Sequence, residues 1–206
     1  MAELVFYTHP MSRGRIVRWM LEEVGQPYRT ELLGYDASMK GADYLAINPM
    51  GKVPAIRHGD AVVTEGAAIC AYLADTFPEA GLAPLADRSA YYRWLFFAAG
   101  PVEQAIVNKS LGITIPAEKK AMAGYGDFDD AMAGLEAAVA GKRYVAGDRF
   151  SAADIILGSQ IGWGLMFGSI PDRTAFRDYW AGLVDRPAKK RADDIDNALM
   201  PKPDAV

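Results

Sequence analysis

The side chains best placed to do chemistry lie in residues 48–75. Residues 52–54, Lys-Val-Pro, lead into a short apolar strand, and residues 64–66, Thr-Glu-Gly, open a helix. Proline cannot donate to a sheet, so Pro54 must lie at the start or edge of a strand. The X-Pro bond is also the one at which a cis peptide costs little. An open backbone beside a helix N-terminus is suited to binding an extended peptide.

Composition narrows the class of protein. A hydrophobic content of 51% with 23% charged residues over 206 residues indicates a folded globular chain. The net charge of −4 argues against a general nucleic-acid surface, so no nucleic-acid partner is expected. One cysteine, Cys70, excludes an internal disulfide and a Cys-rich metal site. The two histidines, His9 and His58, have no partners at the spacing of a zinc site or a hydrolase triad.

Membrane and export signals are weak. The longest apolar stretch, residues 155–166, is too short to span a bilayer and is interrupted by polar residues and glycines. Met1 leads directly into strand-like residues, without the basic and then apolar order of a signal peptide. The sequence therefore predicts a cytoplasmic protein without a membrane partner and without a metal.

The order of elements predicts two domains. Periodicity indicates a strand at residues 3–7, a helix at 13–24, a strand at 28–33, two strands around Gly59 and a helix at 65–77. A strand, helix and strand in sequence imply a parallel pair, and the closing hairpin is antiparallel, so the sheet is mixed. The Pro- and Gly-rich residues 78–86 read as a linker.

Beyond residue 87 the pattern is helical throughout. Residues 88–110 are predicted to form a long helical stretch that bends at Gly100-Pro101, and residues 117–140 are Ala-rich and predicted to be helical. Ser151 and Asp154 have the spacing of a capping box before a helix that is apolar nearly all round. Two shorter helices are predicted at residues 173–184 and 187–197.

Residues 45–54, Leu-Ala-Ile-Asn-Pro-Met-Gly-Lys-Val-Pro, and residues 64–66 resemble the glutathione transferases of the cytosolic type, closest to bacterial beta- and theta-like members. The resemblance implies a thioredoxin-like α/β domain with a mixed four-stranded sheet and an all-α C-terminal domain. The predicted division is 1–78 for the glutathione-binding domain, 79–86 for the linker and 87–206 for the helical domain. It also implies a homodimer in which the α/β domain of one subunit packs on the helical domain of the other.

The resemblance assigns five residues to glutathione. Val53 would pair its backbone with the cysteinyl residue, which requires a cis Val53–Pro54 bond, and Lys52 would neutralise the glycyl carboxylate. Glu65 would accept from the γ-glutamyl ammonium, while Gly66 would offer its amide to the neighbouring carboxylate. Relatives usually carry serine where Gly66 stands. Lys52 as a solvent-exposed turn residue and Glu65 as an ordinary helix-start carboxylate are the alternatives.

Such an enzyme must turn the glutathione thiol into a thiolate, and three residues compete for that catalytic role. Ser12 lies in the loop before the first helix and could place its hydroxyl and the following amides on one sulfur; as an alternative it is a plain helix cap. Tyr7 ends the first strand, although its spacing to Arg13 is about two residues longer than in the tyrosine-type enzymes. Arg13 could supply a cation or pair with a carboxylate.

Departures from the bacterial pattern limit the chemistry. Arg13 stands where beta-type enzymes carry a cysteine, so mixed-disulfide chemistry is not expected, and Glu103 or its neighbourhood replaces a histidine. Cys70 lies among apolar helix residues and is predicted to be a small core residue. The second substrate would be a hydrophobic electrophile. The candidates to line its pocket are Phe96, Phe97, Glu103, Trp163 and Phe167, and the alternative for the aromatic residues is the core of the helical domain.

Three hypotheses follow. The first is a detoxifying glutathione transferase that conjugates the thiolate, with glutathione as co-substrate, to a hydrophobic small-molecule electrophile. The second is a non-catalytic or ligand-carrying protein of the same fold. The third is a specialised glutathione-dependent isomerase, lyase or reductase, which would share every motif named above.

Overall fold

The structure is a computed structural model that describes residues 2–35 and 38–200. It divides into two compact units. The first comprises the described residues up to Ala80 together with those from Arg186 onward, and the second is Gly81–Asp185. The first unit contains the strands, and the second is helical.

A mixed four-stranded sheet organises the first unit. Its strand order is β2-β1-β3-β4, with β1 and β2 parallel and the other two pairs antiparallel. All five residues of β1 are buried, which makes it the central strand of the core. This arrangement confirms the predicted thioredoxin-like fold. The elements are β1 (Leu4–Thr8), α1 (Gly14–Val24), β2 (Arg29–Leu32), α2 (Ala42–Leu45), β3 (Ala55–His58), β4 (Ala61–Thr64) and α3 (Gly66–Thr76).

The two longer helices of this sheet domain bury apolar faces. In α1 the predicted helical spacing places Val17, Trp19 and Met20 at 0% exposure. Gly25 ends α1 with φ of 72° and donates its N–H to the Leu21 carbonyl at 2.9 Å, as a C-terminal glycine does. Cys70 in α3 is fully buried, and burial raises the pKa of its thiol well above the usual range. The prediction that Cys70 is a core residue is confirmed.

The last helix of the chain, α9 (Pro187–Ala198), packs on α1. The guanidinium of Arg18, 1% exposed, donates through Nε to Asp196 Oδ1 at 2.9 Å, and Asp196 is equally buried. Arg186 forms a two-pronged pair with Glu23 at 2.6 and 2.8 Å. The compact units therefore differ from the predicted division, in which residues 187–198 fall within the 87–206 helical domain.

The second unit contains α4 (Ser89–Phe97), α5 (Glu103–Ser110), α6 (Phe128–Val139), α7 (Ala152–Phe167) and α8 (Thr174–Val184). A π-helical turn, Ala98–Val102, joins α4 to α5 and contains Pro101. Proline cannot donate the helical hydrogen bond, so the wider turn occurs where the sequence predicted a bend.

The predicted helical stretch over residues 117–140 is interrupted by a turn. A short 3-10 helix, Ala117–Met122, is followed by a turn, and α6 begins only at Phe128. Gly126 adopts φ of 70°, and the Asp127 carboxylate accepts from the Asp130 amide at 2.9 Å. Gly126 and Asp127 therefore form a turn and a helix N-cap in the middle of the Ala-rich stretch. The high alanine content indicated helix throughout and did not indicate this turn.

The predicted capping box opens α7. Ser151 and Asp154 exchange the expected hydrogen bonds, and Asp154 also accepts from the Tyr179 hydroxyl at 2.6 Å and the Val145 amide at 2.7 Å. Burial raises the pKa of Asp154, and these donors offset only part of that effect. Most of α7 is buried, which confirms it as the core helix of this unit. Across residues 2–35 and 38–200, no helix is both long and apolar enough to cross a membrane.

Candidate functional site

One edge of the sheet collects the loops that carry the predicted site. Tyr7 in β1 pairs with Ala55 in β3, and Ala55 pairs with Thr64 in β4. These three residues therefore form a row where β1 and β4 end and β3 begins. The loop containing Ser12, the residues just before Ala55 and the residues just after Thr64 all leave the sheet at this row, which we call the site edge.

At the site edge, Val53 presents an open backbone. Val53–Pro54 is the cis peptide that the sequence predicted. Pro54 is buried, Val53 is half-buried, and β3 begins only at Ala55. Among the described residues, neither the amide nor the carbonyl of Val53 has a hydrogen-bond partner. This residue is therefore free to pair with an extended peptide in the manner of an added strand.

The turn before Val53 is held by hydrogen bonds to its own backbone. The Lys52 carbonyl accepts from the Tyr44 hydroxyl at 2.6 Å and from Asn48 Nδ2 at 2.8 Å. Burial raises the pKa of Tyr44 to about 12, which keeps its hydroxyl a donor. Gly51 has φ of 54°, and a Cβ there would come within 2.8 Å of the Met39 carbonyl oxygen. Asn48 and Tyr44 are positioning residues that motif matching alone did not single out.

Glu65 is held in an unusual conformation. Its φ is 67°, and among the described residues no other non-glycine residue has a positive φ. It immediately precedes α3. Its side chain is exposed and does not cap α3. Non-glycine residues in such regions persist where the surroundings impose them, often at ligand sites. Nothing in a Thr-Glu-Gly sequence signals this conformation, so sequence reasoning missed it.

The first turn of α3 supplies amide donors beside Glu65. The Glu65 carbonyl accepts from the Ile69 amide at 2.9 Å, so the i→i+4 hydrogen bonds of α3 begin at the residue just before Gly66. The first amides of any helix lack intrahelical partners, and together with the helix dipole they favour an anion. The site edge thus offers an exposed carboxylate next to donors for a carboxylate, a pair suited to an amino-acid head group.

Ser12 lies in the loop at the same edge. Its hydroxyl donates to the His9 carbonyl at 2.7 Å and accepts from the Gly14 amide at 2.9 Å. The Ser12 amide also donates to the His9 carbonyl, at 3.1 Å. The hydroxyl therefore satisfies the first amide of α1, which is the capping behaviour that the sequence allowed as an alternative.

Comparison with known proteins bears directly on this arrangement. A model of the glutathione S-transferase N-terminal domain matches residues 11–76, which include Ser12, Val53, Glu65 and Gly66 at the site edge. Glutathione S-transferase F9 of Arabidopsis thaliana is 29% identical over 168 residues, covering 71% of this chain and 75% of the relative. GstB of Escherichia coli K12 is 29% identical over 190 residues, covering 83% and 88%.

A solved structure extends the match along the whole length. A sphingomonad glutathione S-transferase, determined in complex with glutathione, is 30% identical with a TM-score of 0.73, covering 94% of this chain and 98% of that one. The chain belongs to the glutathione S-transferase family. It is a transferase with the thioredoxin-like fold of that family.

Within this transferase, the other two candidates for activating the thiol lie in different surroundings. The Tyr7 side chain is 9% exposed and packs with Val5, Met39, Tyr44 and Ala55, its ring centroid 5.6 Å from that of Tyr44. Arg13 is exposed and has a helical backbone, with its carbonyl accepting from the Ile16 amide at 3.1 Å. Tyr7 is therefore mainly a core residue, whereas Arg13 is an exposed residue at the start of α1.

Two cations flank the turn that leads to Val53. Lys52 is exposed, and its ammonium has no hydrogen-bond or ion-pair partner among residues 2–35 and 38–200. Lys40, which sequence reasoning did not include, donates from Nζ to the Met50 carbonyl at 2.8 Å. The transferase thus places positive charge beside the turn that leads to Val53.

The described clefts lie away from the site edge. One of about 410 Å³ is at the opposite end of the sheet, between the start of β1, the start of β2 and the end of β3, and is lined by Tyr28, His58 and Phe77. Another of about 310 Å³ lies in the helical unit, lined by Lys109, Tyr125 and Phe128 among others. In the part of the chain that the structure describes, no group of three His, Cys, Asp or Glu side chains is arranged to hold a metal ion.

Proposed function

We propose that this transferase conjugates the thiolate of glutathione to a hydrophobic small-molecule electrophile, with glutathione as co-substrate and without a metal. The observation that carries the proposal is the Val53 backbone, which is open to a peptide at the sheet edge where Ser12, Glu65 and Gly66 also meet. The sphingomonad relative solved in complex with glutathione supports the choice of tripeptide.

Each part of glutathione has a chemical counterpart at the site edge. The cysteinyl residue pairs with the Val53 amide and carbonyl, next to the buried Pro54. The γ-glutamyl ammonium donates to the Glu65 carboxylate, and the γ-glutamyl α-carboxylate accepts from the Gly66 amide. Lys52 neutralises the glycyl carboxylate. Two net hydrogen bonds to Val53 contribute about 1–3 kcal/mol, or one to two decades of affinity.

Ser12 is the residue that we assign to thiol activation. A free thiol has a pKa near 8.5, and lowering it by two units requires about 2.7 kcal/mol of preferential stabilisation of the anion. A hydroxyl donor together with the N-terminus of α1 can supply that amount. When the hydroxyl turns from His9 to the sulfur, the His9 carbonyl keeps the Ser12 amide as a donor. Arg13 adds a cation nearby, and Tyr7 is the alternative donor.

The choice of a hydrophobic electrophile is based on the exposed aromatic side chains of the helical unit. Its exposed aromatic side chains include Phe96 at 65% and Phe167 at 75%, which are surfaces that an apolar substrate would cover. We further propose a cytoplasmic homodimer with a detoxifying role, of the beta/theta-like type. The division at residues 79–86, between a glutathione-binding domain and a helical domain, is part of this proposal.

A non-catalytic or ligand-carrying role is the second candidate, and two observations favour it. Gly66 offers an amide but no hydroxyl to the substrate carboxylate, which weakens binding. The Ser12 proton is directed at the His9 carbonyl rather than outward. A specialised glutathione-dependent isomerase, lyase or reductase would use the same site edge with a different second substrate.

Calorimetry with glutathione, followed by turnover on 1-chloro-2,4-dinitrobenzene, tests the proposal. We expect one glutathione site per chain and measurable conjugation. Glu65→Gln should weaken binding, whereas Asp60→Asn, which removes a carboxylate from the β3–β4 turn at the opposite end of these strands, should not. Binding without turnover on any electrophile or disulfide would support the carrier role, and absence of binding would refute the site.

A further inference from the structure

Thr8, the last residue of β1, has a buried hydroxyl without a partner. The residue is 0% exposed, and its carbonyl accepts from the Leu33 amide at 2.9 Å. Within the described residues, Thr8 Oγ1 makes no hydrogen bond. Buried polar groups in folded proteins are nearly always hydrogen-bonded, so an unpartnered one calls for a reason.

The position of the Thr8 hydroxyl gives a reason for its lack of a partner. Thr8 Oγ1 faces Gly14, the first residue of the eleven-residue helix α1, so closely that a Cβ on Gly14 would overlap it. Ser12 Oγ lies 2.9 Å from the same point. Two hydroxyl groups therefore flank the N-terminus of α1. The Ser12 hydroxyl lies in the half-buried loop at the site edge, and the Thr8 hydroxyl is fully buried.

Ser12 Oγ has room for one more donor. A serine hydroxyl donates one hydrogen bond and accepts up to two. Ser12 Oγ donates to the His9 carbonyl and accepts from the Gly14 amide, so one acceptor position remains. The neighbouring hydroxyl without a partner, Thr8 Oγ1, is a donor of matching chemistry.

We propose that Thr8 is a positioning residue for the transferase reaction, acting through Ser12; the inference rests on the proposed function. The two oxygens are not hydrogen-bonded in the structure as it stands. When the Ser12 side chain shifts from the His9 carbonyl toward the bound thiolate, its Oγ comes within reach of Thr8 Oγ1–H, which then donates to it. Ser12 Oγ then accepts from Thr8 and from the Gly14 amide while it donates to the sulfur. Hydrogen bonds in such a chain polarise one another, so Ser12 becomes the stronger donor.

A packing role for Thr8 makes a different prediction. A β-branched residue suits the end of a buried strand, and valine would fill that space as well as threonine does. Thr8→Val removes the hydroxyl and keeps the shape, whereas Thr8→Ser keeps the hydroxyl and removes a methyl group. The pair of variants separates the chemistry of the side chain from its volume.

The test is a titration of thiolate absorbance in the glutathione complexes of the wild-type protein, both Thr8 variants, Ser12→Ala and the double variant Ser12→Ala/Thr8→Val. Thr8→Val should raise the pKa of the bound thiol by about half a unit, roughly a threefold loss of thiolate below that pKa. Thr8→Ser should titrate as the wild type. In the Ser12→Ala background, Thr8→Val should add no further shift, because its effect passes through Ser12.

The outcomes are distinct. A wild-type titration in Thr8→Val, a shift in Thr8→Ser as large as that in Thr8→Val, or an undiminished shift in the Ser12→Ala background would each overturn the inference alone. If Thr8→Val does not fold, Thr8→Ala removes the hydroxyl in its place: a raised pKa there with an unchanged one in Thr8→Ser would support the inference, and an unchanged pKa in Thr8→Ala would overturn it. No thiolate signal in the wild-type complex would overturn the proposed function and this inference with it.

Discussion

At the scale of single residues, the site edge contains the cis Val53–Pro54 bond, the positive φ of Glu65 and the Ser12 hydroxyl that accepts from the Gly14 amide. Pro54 and its cis bond were predictable, because few peptide bonds other than X-Pro adopt that form. The positive φ of Glu65 was not, since the surrounding fold imposes it and no residue type announces it. Ser12 stood out from its place before α1, but the buried partnerless hydroxyl of Thr8 depends on how closely Gly14 approaches β1.

Ser12→Ala should raise the pKa of the bound glutathione thiol by a unit or more, because the variant removes the donor assigned to the thiolate. Glutathione affinity should change little, since Val53, Glu65 and Gly66 make the binding contacts. Titration of thiolate absorbance measures the shift. Tyr7→Phe is the matched control, and a shift in that variant with an unshifted Ser12→Ala would transfer the role to Tyr7.

Glu65→Gly should separate binding from stability. Glycine removes the cost of holding a non-glycine residue at positive φ, which is about 1–3 kcal/mol. It also makes the unfolded chain more flexible, which lowers the free energy of unfolding by about 0.5–1 kcal/mol. The free energy of unfolding should therefore hold or rise slightly in urea denaturation. Glutathione affinity should fall tenfold or more, because a charge-assisted hydrogen bond of about 1.5–3 kcal/mol is lost.

Glu65→Ala is the matched variant for that experiment. It should lose the same affinity, but it keeps a side chain at φ of 67° and should gain no stability over the wild type. Equal glutathione affinity in wild type and both variants would remove Glu65 from the binding site.

At the scale of elements, local sequence signals predicted α1, the capping box of α7 and the bend at Gly100-Pro101, because each depends on residues close in sequence. The interruption within residues 117–140 comes from Gly126 and Asp127, whose turn and cap outweigh the helix propensity of the surrounding alanines. The grouping of α9 with the first unit depends on side chains far apart in sequence, such as Arg18 and Asp196, and periodicity carries no such information.

Asp196→Ala should lower the free energy of unfolding by about 3–5 kcal/mol, because it leaves the buried Arg18 cation without its carboxylate. Glu3→Ala is the control; it breaks the exposed pair with Arg29 and should cost less than about 1 kcal/mol. Urea unfolding of both variants against the wild type provides the comparison. A loss from Asp196→Ala no larger than that from Glu3→Ala would show that the pair does not hold α9 to α1.

At the scale of the whole molecule, the family places two kinds of structure in one chain: an α/β unit whose sheet edge is suited to glutathione, and a helical unit with exposed aromatic residues. The fold class was predictable because the loss of strand signal after residue 78 marks the change of class. The second substrate was not, because its pocket depends on side chains brought together by folding rather than by a motif.

The assembly is expected to be a homodimer of twice the 22.3 kDa chain mass. Other exposed apolar side chains of the helical unit, such as Leu85 and Tyr92, are surface that a second copy would cover. Sedimentation analysis at micromolar concentration measures the mass directly. A 22 kDa species alone across the concentration range would contradict the expected dimer.

A crystal structure of the protein with glutathione tests the central claim most directly. We expect the cysteinyl backbone to pair with the Val53 amide and carbonyl, the γ-glutamyl end to lie at Glu65 and Gly66, and the sulfur to lie within hydrogen-bond reach of Ser12 Oγ. Glutathione bound instead in the cleft lined by Tyr28, His58 and Phe77, or in the cleft of the helical unit, with Val53 left unpaired, would contradict it.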